Sequence, residues 1–380
     1  MNKRRLVPPL LAAVLLFCPG CWSYREISST TFVSGAAVDL DPLGGYILTA
    51  EIIDFSQTTL ESGPKSSVIT TRGATIAEAA DNIMRSVGEK PYWSHAAAFI
   101  VSRDAAEAGI TPLLDFMMNN IDTCLTASVL VSALPTAQEV FELKSVENGV
   151  ISYEIRSILE ENADYSQTIS DFVYTVIGDL ASGGVCAALP TVSSYEQNEE
   201  RFIDIAGCAL FDGDRMVSQL DAYETARLLA LRNRLGEYTL DVRLSDGNLY
   251  TLRLLRSETA RRPVRLDDGT LRVCVDVKAD TVVTSAPSID MLTHPASYVE
   301  LERAAEAKIT DELSGLVSRL QQSGLDAPGF GTLFSKSMPE VYAPLSADWG
   351  QAFRTLDVVV SADVRVTKSS AGPAILTPSG

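Results

Sequence analysis

The rhythm of apolar and polar positions changes several times along this chain. The segment "FVSGAAVDLDPLGGYILTAEIIDF" holds two β-rich runs around the turn cluster Asp41-Pro42-Leu43-Gly44-Gly45, which predicts a hairpin. In "GATIAEAADNIMRSVG" the apolar residues Ile76, Ala80, Ile83 and Met84 fall at the spacing of one helical face, with Thr75 or a neighbour as cap. "AAAFIVS" then reads as a strand, "TPLLDFMMNN" as a helix with proline in its first turn, "LTASVLVSA" as a strand and "TAQEVFEL" as a short helix. Strand and helix alternate here, so this part predicts a sheet covered by helices.

Gly149 to Leu180 carries a helical pattern through Ile151, Ile155, Ile158 and Leu159, then Ile169, Phe172, Val176 and Leu180. "ASGGVCAALPTVSSYEQNEE" turns back into a strand and a polar stretch, and "FIDIAGCALFDGDRMVSQLD" predicts two strands around Asp212-Gly213-Asp214. The polar stretch from Glu196 to Glu200 is the first candidate domain boundary. "YETARLLALRN" is helical, and Tyr238 to Val283 is β-rich, with turns at Asp246-Gly247 and Asp267-Asp268-Gly269. Near the C-terminus, Ala305, Ile309, Leu313, Leu316, Val317 and Leu320 share one face of the longest helix, which stops at Gly324. "TLDVVVSADVRVT" alternates, placing Leu356, Val358, Val360, Val364 and Val366 on one side of a strand.

The first residues follow a different logic. Met1 to Arg5 carry three positive charges, Leu6 to Phe17 are almost entirely apolar, and Pro19 and Gly20 follow, the order of a secretory signal peptide. An apolar run of about twelve residues spans roughly 18 Å as a helix, short of the ~30 Å hydrocarbon core. Gly20 directly before Cys21 fits the narrow pocket of a lipoprotein signal peptidase, and the Cys21 thiol is the candidate acceptor of a diacylglyceryl group. Cys18 follows the bulky Phe17 and is the poorer acceptor; it also stands where lipoboxes usually carry leucine. The pair Cys18 and Cys21 read as a CxxC redox or zinc motif needs a helix N-terminus in a folded domain or a second pair of ligands nearby, and neither is present. Two acyl chains hold a protein stably at a membrane where one holds it marginally.

Cleavage before Cys21 removes Lys3, Arg4 and Arg5, so the formal charge moves from -18 to 28 - 49 = -21. Such a polyanion has no electrostatic route to nucleic acid or to anionic lipid. The remaining cysteines, Cys124, Cys186, Cys208 and Cys274, allow two disulfides or four buried thiols, and spacing does not choose. His95 and His294 lack a third histidine for a zinc triad, and HExxH, GxSxG and P-loop patterns are absent. His95 precedes a buried strand, the position of an edge or capping histidine. The Gly-Gly turn in "GDLASGGVCAAL" does not open a helix after a strand, as phosphate binding requires. Asp267-Asp268 and Glu199-Glu200 read as turns and solvated faces rather than calcium ligands. No catalytic residue, metal ligand or cofactor site is therefore assigned, and the expectation is a non-enzymatic protein.

A lipobox followed by "CWSYREI", then a hairpin with "SGAAVDLD", then "YWSHAAAFIVSRDAAEAGITPLLDF", resembles the C subunits of bacterial spore-germination nutrient receptors, the Ger(x)C lipoproteins. Cys21, Trp22, Arg25, Glu26 and Ile27 match the family's opening, while Ser23 stands where it usually carries an acid. "GCALFDGDRMVSQLDAYET", "SADWGQAF" and the closing alternating strand are similar to its C-terminal half, so the resemblance runs to about Lys368. It implies an α+β fold of three domains, with mixed or antiparallel sheets packed with helices behind a lipoprotein signal peptide. On this sequence the divisions fall at 1–20 for the signal peptide, 21–197 for an N-terminal α/β domain, 198–290 for a β-rich middle domain and 291–380 for a C-terminal α+β domain. It also implies a lipoprotein at the outer face of the spore inner membrane, acting beside two integral-membrane subunits, A-type and B-type, in a complex that responds to small nutrients. Only Cys21, with Gly20 cleaved behind it, transfers as a functional position. The competing reading is a solute-binding lipoprotein of a transporter, which needs a cleft between two α/β lobes. An envelope hydrolase lacks a catalytic set.

Overall fold

The computed structural model describes residues 31–59, 63–120, 126–146, 149–166, 168–287 and 295–367. Strands β1 (Thr31–Leu40) and β2 (Tyr46–Thr59) form the expected hairpin, closed where Leu43 N–H donates to the Asp41 carboxylate and Gly44 and Gly45 take positive φ. A third strand, β3 (Gly63–Gly73), pairs antiparallel with β2. Its residues, "GPKSSVITTRG", are mostly polar because it is an exposed sheet edge, so hydrophobic periodicity does not announce it. Helix α1 (Ile76–Val87) follows, its N-terminus capped by the Thr75 hydroxyl accepting from Glu78 N–H and its end set by Gly88 in the left-handed region. Ile76, Ala79, Ala80 and Ile83 are buried, whereas Met84, expected on the same face, is 48% exposed.

The chain continues through β4 (Pro91–Tyr92), β5 (Ala98–Val101), α2 (Arg103–Ala108), α3 (Thr111–Asn119) and β6 (Ser128–Ser132). The short helix expected in "TAQEVFEL" is a 3-10 turn over Gln138–Glu142. The helical run from Gly149 is two helices, α4 (Ile151–Tyr165) and α5 (Val173–Ser182), separated by an irregular segment that contains Ser166 at positive φ. Strands β7 (Ala187–Gln197), β8 (Glu200–Asp212) and β9 (Arg215–Leu220) then complete a mixed nine-stranded sheet in the order β3-β2-β1-β5-β6-β7-β8-β9, with β4 paired to β1. Helices α1, α2, α3 and α5 cover one face around Phe99, Ile83 and Met117. Helix α4 and the 3-10 turn cover the other, around Ile100, Leu130 and Ile155.

Beyond α6 (Ala222–Leu231), strands β10 (Tyr238–Arg243), β11 (Leu249–Arg265) and β12 (Leu271–Ser285) form an antiparallel meander. Helix α7 (Pro295–Ser323), α8 (Phe330–Ser337), α9 (Pro339–Tyr342) and α10 (Trp349–Arg354) intervene before β13 (Asp357–Thr367), which joins β12 in parallel. Of the expected apolar stripe of α7, Ala305, Leu313, Leu316, Val317 and Leu320 are buried and Ile309 is half-buried; in the closing segment Leu356, Val360, Val364 and Val366 are buried and Val358 is half-buried.

The sheets thus give an α+β fold. The boundary expected at residues 197 and 198 falls in the tight turn between β7 and β8, where Asn198 and Glu199 take positive φ, and Gln197 pairs with Glu200 across it. The stretch is polar because a hairpin tip is solvated, and the first sheet runs on through β9. The boundary at 290 and 291 lies outside the described residues. One core links the sheets: Ala188 and Leu210 of the first, with Cys186 just before β7, pack in the same cluster as Val273 and Val275 of the second, together with Leu313, Phe330 and Phe353.

Candidate functional site

Gly20 and Cys21, the positions the sequence singles out, lie outside the described residues, as do Cys18, Cys124 and His294. Cys186, Cys208 and Cys274 are free thiols. Burial pushes the Cys186 thiol up to about 12 and the Cys208 thiol up to about 11, so both are neutral and inert at physiological pH. His95 is exposed in the turn before β5, its ring set 5.7 Å from Phe32 and 6.0 Å from Tyr92. The Gly-Gly pair caps α5: Gly183 takes positive φ, and Gly184 C=O accepts from Thr332 N–H at 2.8 Å. Asp268 closes the β11–β12 turn by accepting from Thr270 N–H, and Glu200 pairs with Lys144. Among the described residues no three His, Cys, Asp or Glu side chains could hold a metal ion.

The buried charges serve as clamps between elements. Glu51, on β2, is almost fully buried and accepts hydrogen bonds from the Ser34, Ser66 and Ser152 hydroxyls and from the backbone N–H groups of Ile151 and Ser152. A carboxylate at this place satisfies the orphan donors of α4 and complements its dipole, fixing the helix against the sheet. Asp39, on β1, accepts from Ala137 and Gln138 N–H at the start of the 3-10 turn, and burial raises its carboxyl above the ordinary carboxylate range.

The densest clamp lies where the two sheets meet. Asp326 is buried and accepts four N–H donors: Gly329 and Phe330 on one oxygen, Gly331 and the Trp349 indole on the other, at 2.6 to 2.9 Å. Burial drives its carboxyl upward in pKa while those donors pull it back. The Asp326 C=O accepts from Cys186 N–H, and Arg232 donates to the carbonyls of Ala327 and Cys186, so three short segments from distant parts of the chain interlock. Gly331 is required: a Cβ there would stand 2.6 Å from both the Gly184 oxygen and the Trp349 indole nitrogen. A cleft of about 170 Å³ opens beside this junction, lined by Asp179, Asp212, Asp326 and Trp349. "SADWGQAF" therefore supplies Trp349 to a structural lock. Sequence reading missed Asp326: the N-cap of α8 is Gly329, and Asp326 stands three residues before it, outside the position a capping signal takes.

Comparison with known proteins decides the family. Residues 23–194 match the family profile described as "Spore germination protein N-terminal domain", and residues 206–370 match "Spore germination B3/ GerAC like, C-terminal". The chain belongs to the Ger(x)C family of spore-germination proteins. Two curated relatives from Bacillus subtilis (strain 168) align with this chain along nearly their whole length. The putative spore germination protein YfkR is 24% identical over 94% of this chain and 94% of its own, and spore germination protein KC is 19% identical over 93% and 92%. The crystal structure of the GerBC protein superposes with a TM-score of 0.56 at 15% identity, covering 90% of this chain and 99% of that one, which establishes a common fold. The two Ger(x)C profiles divide between residues 194 and 206, within the β7–β8 hairpin, so the family's sequence division runs through a continuous sheet.

Proposed function

We propose that this Ger(x)C chain is the lipid-anchored, non-enzymatic C subunit of a spore germinant receptor. Cys21 holds it at the extracytoplasmic face of the spore inner membrane, beside an A-type and a B-type integral-membrane subunit, in a complex required for nutrient-triggered germination. The observation that carries this reading is the pair of family profiles matching in order across residues 23–370, directly behind a signal sequence that ends in Gly20-Cys21. Two features support it. Among the described residues no helix is long and apolar enough to cross a membrane, which is compatible with attachment through a lipid on Cys21. The buried carboxylates Asp39, Glu51 and Asp326 are engaged in backbone hydrogen bonds that hold elements together, which suits a rigid partner-binding body. Tethering raises the local concentration of the ectodomain at its membrane partners, so a modest interface suffices for occupancy.

The solute-binding alternative needs an open cleft between two lobes, whereas the space between the two sheets is filled by a shared apolar core. Affinity purification of the chain from detergent extracts of spore membranes tests the proposal. Co-purification of two integral-membrane subunits, together with slowed nutrient germination on deletion of the gene, is the expected result. Recovery of the chain alone, with unchanged germination, contradicts it.

A further inference from the structure

Strands β1, β5, β6 and β7 run parallel, so their starting ends lie together at one end of the first sheet. The described chain enters at this end: Thr31 opens β1 and pairs in parallel with Pro91. Nine residues lie between it and Cys21, ten Cα-to-Cα steps. A leash of that length reaches about 34 Å when fully extended, so a lipid on Cys21 confines this end of the ectodomain to the neighbourhood of the bilayer.

The same end gathers amphipathic side chains. The half-buried rings of Phe32 and Tyr92 meet edge to face at 5.7 Å. Helices α1 and α3 run back toward this end and leave Met84 and Met118 near their last turns, 48% and 58% exposed. Helix α5 starts here, since Phe172 bridges to Ser128 at the start of β6, and its Tyr174 is 56% exposed. Between α1 and α3 a groove of about 540 Å³ opens over Trp93 and Phe116. Exposed methionine and tyrosine around a wet-and-apolar rim match the composition of the headgroup boundary, where ring and thioether meet acyl carbon and polar atoms stay hydrated. The formal charge of -21 on the cleaved chain removes attraction to anionic lipid, so the contact is apolar and aromatic.

We propose that this end of the first sheet docks on the bilayer itself, with Phe32, Tyr92, Met84, Met118 and Tyr174 resting in the headgroup region. The proposal rests on the lipid anchor at Cys21 and adds an orientation to it. Docking leaves the lateral surfaces of both sheets free for protein partners, and its strength is independent of salt and of anionic lipid content.

The test is photolabelling of the lipidated full chain in phosphatidylcholine vesicles that carry a photoactivatable acyl chain, with labelled peptides mapped by mass spectrometry. Labelling of segments 82–95, 114–120 and 172–178 is expected to exceed that of the far-end turn 38–48 by about tenfold, unchanged at high salt. The double substitution Met118→Glu, Tyr174→Glu is expected to abolish the excess while the chain stays on the vesicles and keeps its circular dichroism. Chain that is not retained on the vesicles overturns the anchor. Retained chain that is labelled evenly or chiefly at the 38–48 turn overturns the docking alone. Label at the proposed end that appears only after integral-membrane subunits are added also overturns it, by showing a protein occupant instead of lipid.

Discussion

Asp326 and Glu51 show how single buried carboxylates decide the geometry of this molecule. In Asp326→Asn, the amide nitrogen would face either Gly331 and the Trp349 indole or Gly329 and Phe330, leaving buried donors without an acceptor. A loss of about 2–4 kcal/mol is expected, read as a lower midpoint in denaturant unfolding. An unchanged midpoint would contradict the role assigned to the clamp. The two buried thiols make a pH statement of their own. Their folded pKa values, about 12 for Cys186 and about 11 for Cys208, lie above the ordinary thiol value, so folding favours the neutral form. The sign follows from linkage: this contribution is complete below the unfolded-state value of about 8.5 and is lost as pH rises through the folded values. Native chain should therefore resist alkylation at both positions at pH 8 and react fully once unfolded; rapid labelling of either in the native state would show that the burial is wrong.

At the scale of elements, close approach and edge protection carry the fold. Gly35 lies where α4 meets β1, and a Cβ there would stand 2.1 Å from the Ser152 hydroxyl and 2.6 Å from the Ala98 oxygen. Gly35→Ala is expected to cost about 1–3 kcal/mol by overpacking, with Ser152→Ala recovering part of the loss in a double-mutant cycle. On the second sheet, the outward N–H groups of Val364 and Val366 on edge strand β13 donate to Glu306 and Glu302, one turn apart on α7. Removing both carboxylates (Glu302→Ala, Glu306→Ala) uncovers that edge and should produce concentration-dependent association in sedimentation. These contacts mark the limit of what the sequence shows. The stripe of α7 from Ala305 to Leu320, the Asp41–Gly45 hairpin and the alternation of Leu356 to Val366 were legible because each element buries one face at a fixed period. Strand β3 was not, since both its faces are largely solvated, and the Glu196–Glu200 stretch looked like a linker because a hairpin tip has the same composition. The junction was also hidden, because Cys186, Arg232, Asp326 and Trp349 come from separate segments and only the folded chain brings them together.

For the whole molecule, one shared core joins the two sheets into a single body, and the profile matches place the chain in the Ger(x)C family. Its proposed action depends on where it is held. In the proposal the signal peptide is residues 1–20, Cys21 opens the mature chain, the entry strand begins at Thr31, and that mature chain is too acidic to adhere to a membrane through charge. On the proposed reading, attachment at a single atom, the Cys21 sulfur, is what separates a receptor subunit from a freely diffusing protein. The most direct test is membrane fractionation of spores that carry the Cys21→Ala chain at normal abundance, alongside their nutrient germination rate. The account predicts a folded chain, with an unchanged unfolding midpoint, that is lost from the membrane fraction and germinates slowly; wild-type membrane retention and germination in that variant would contradict it.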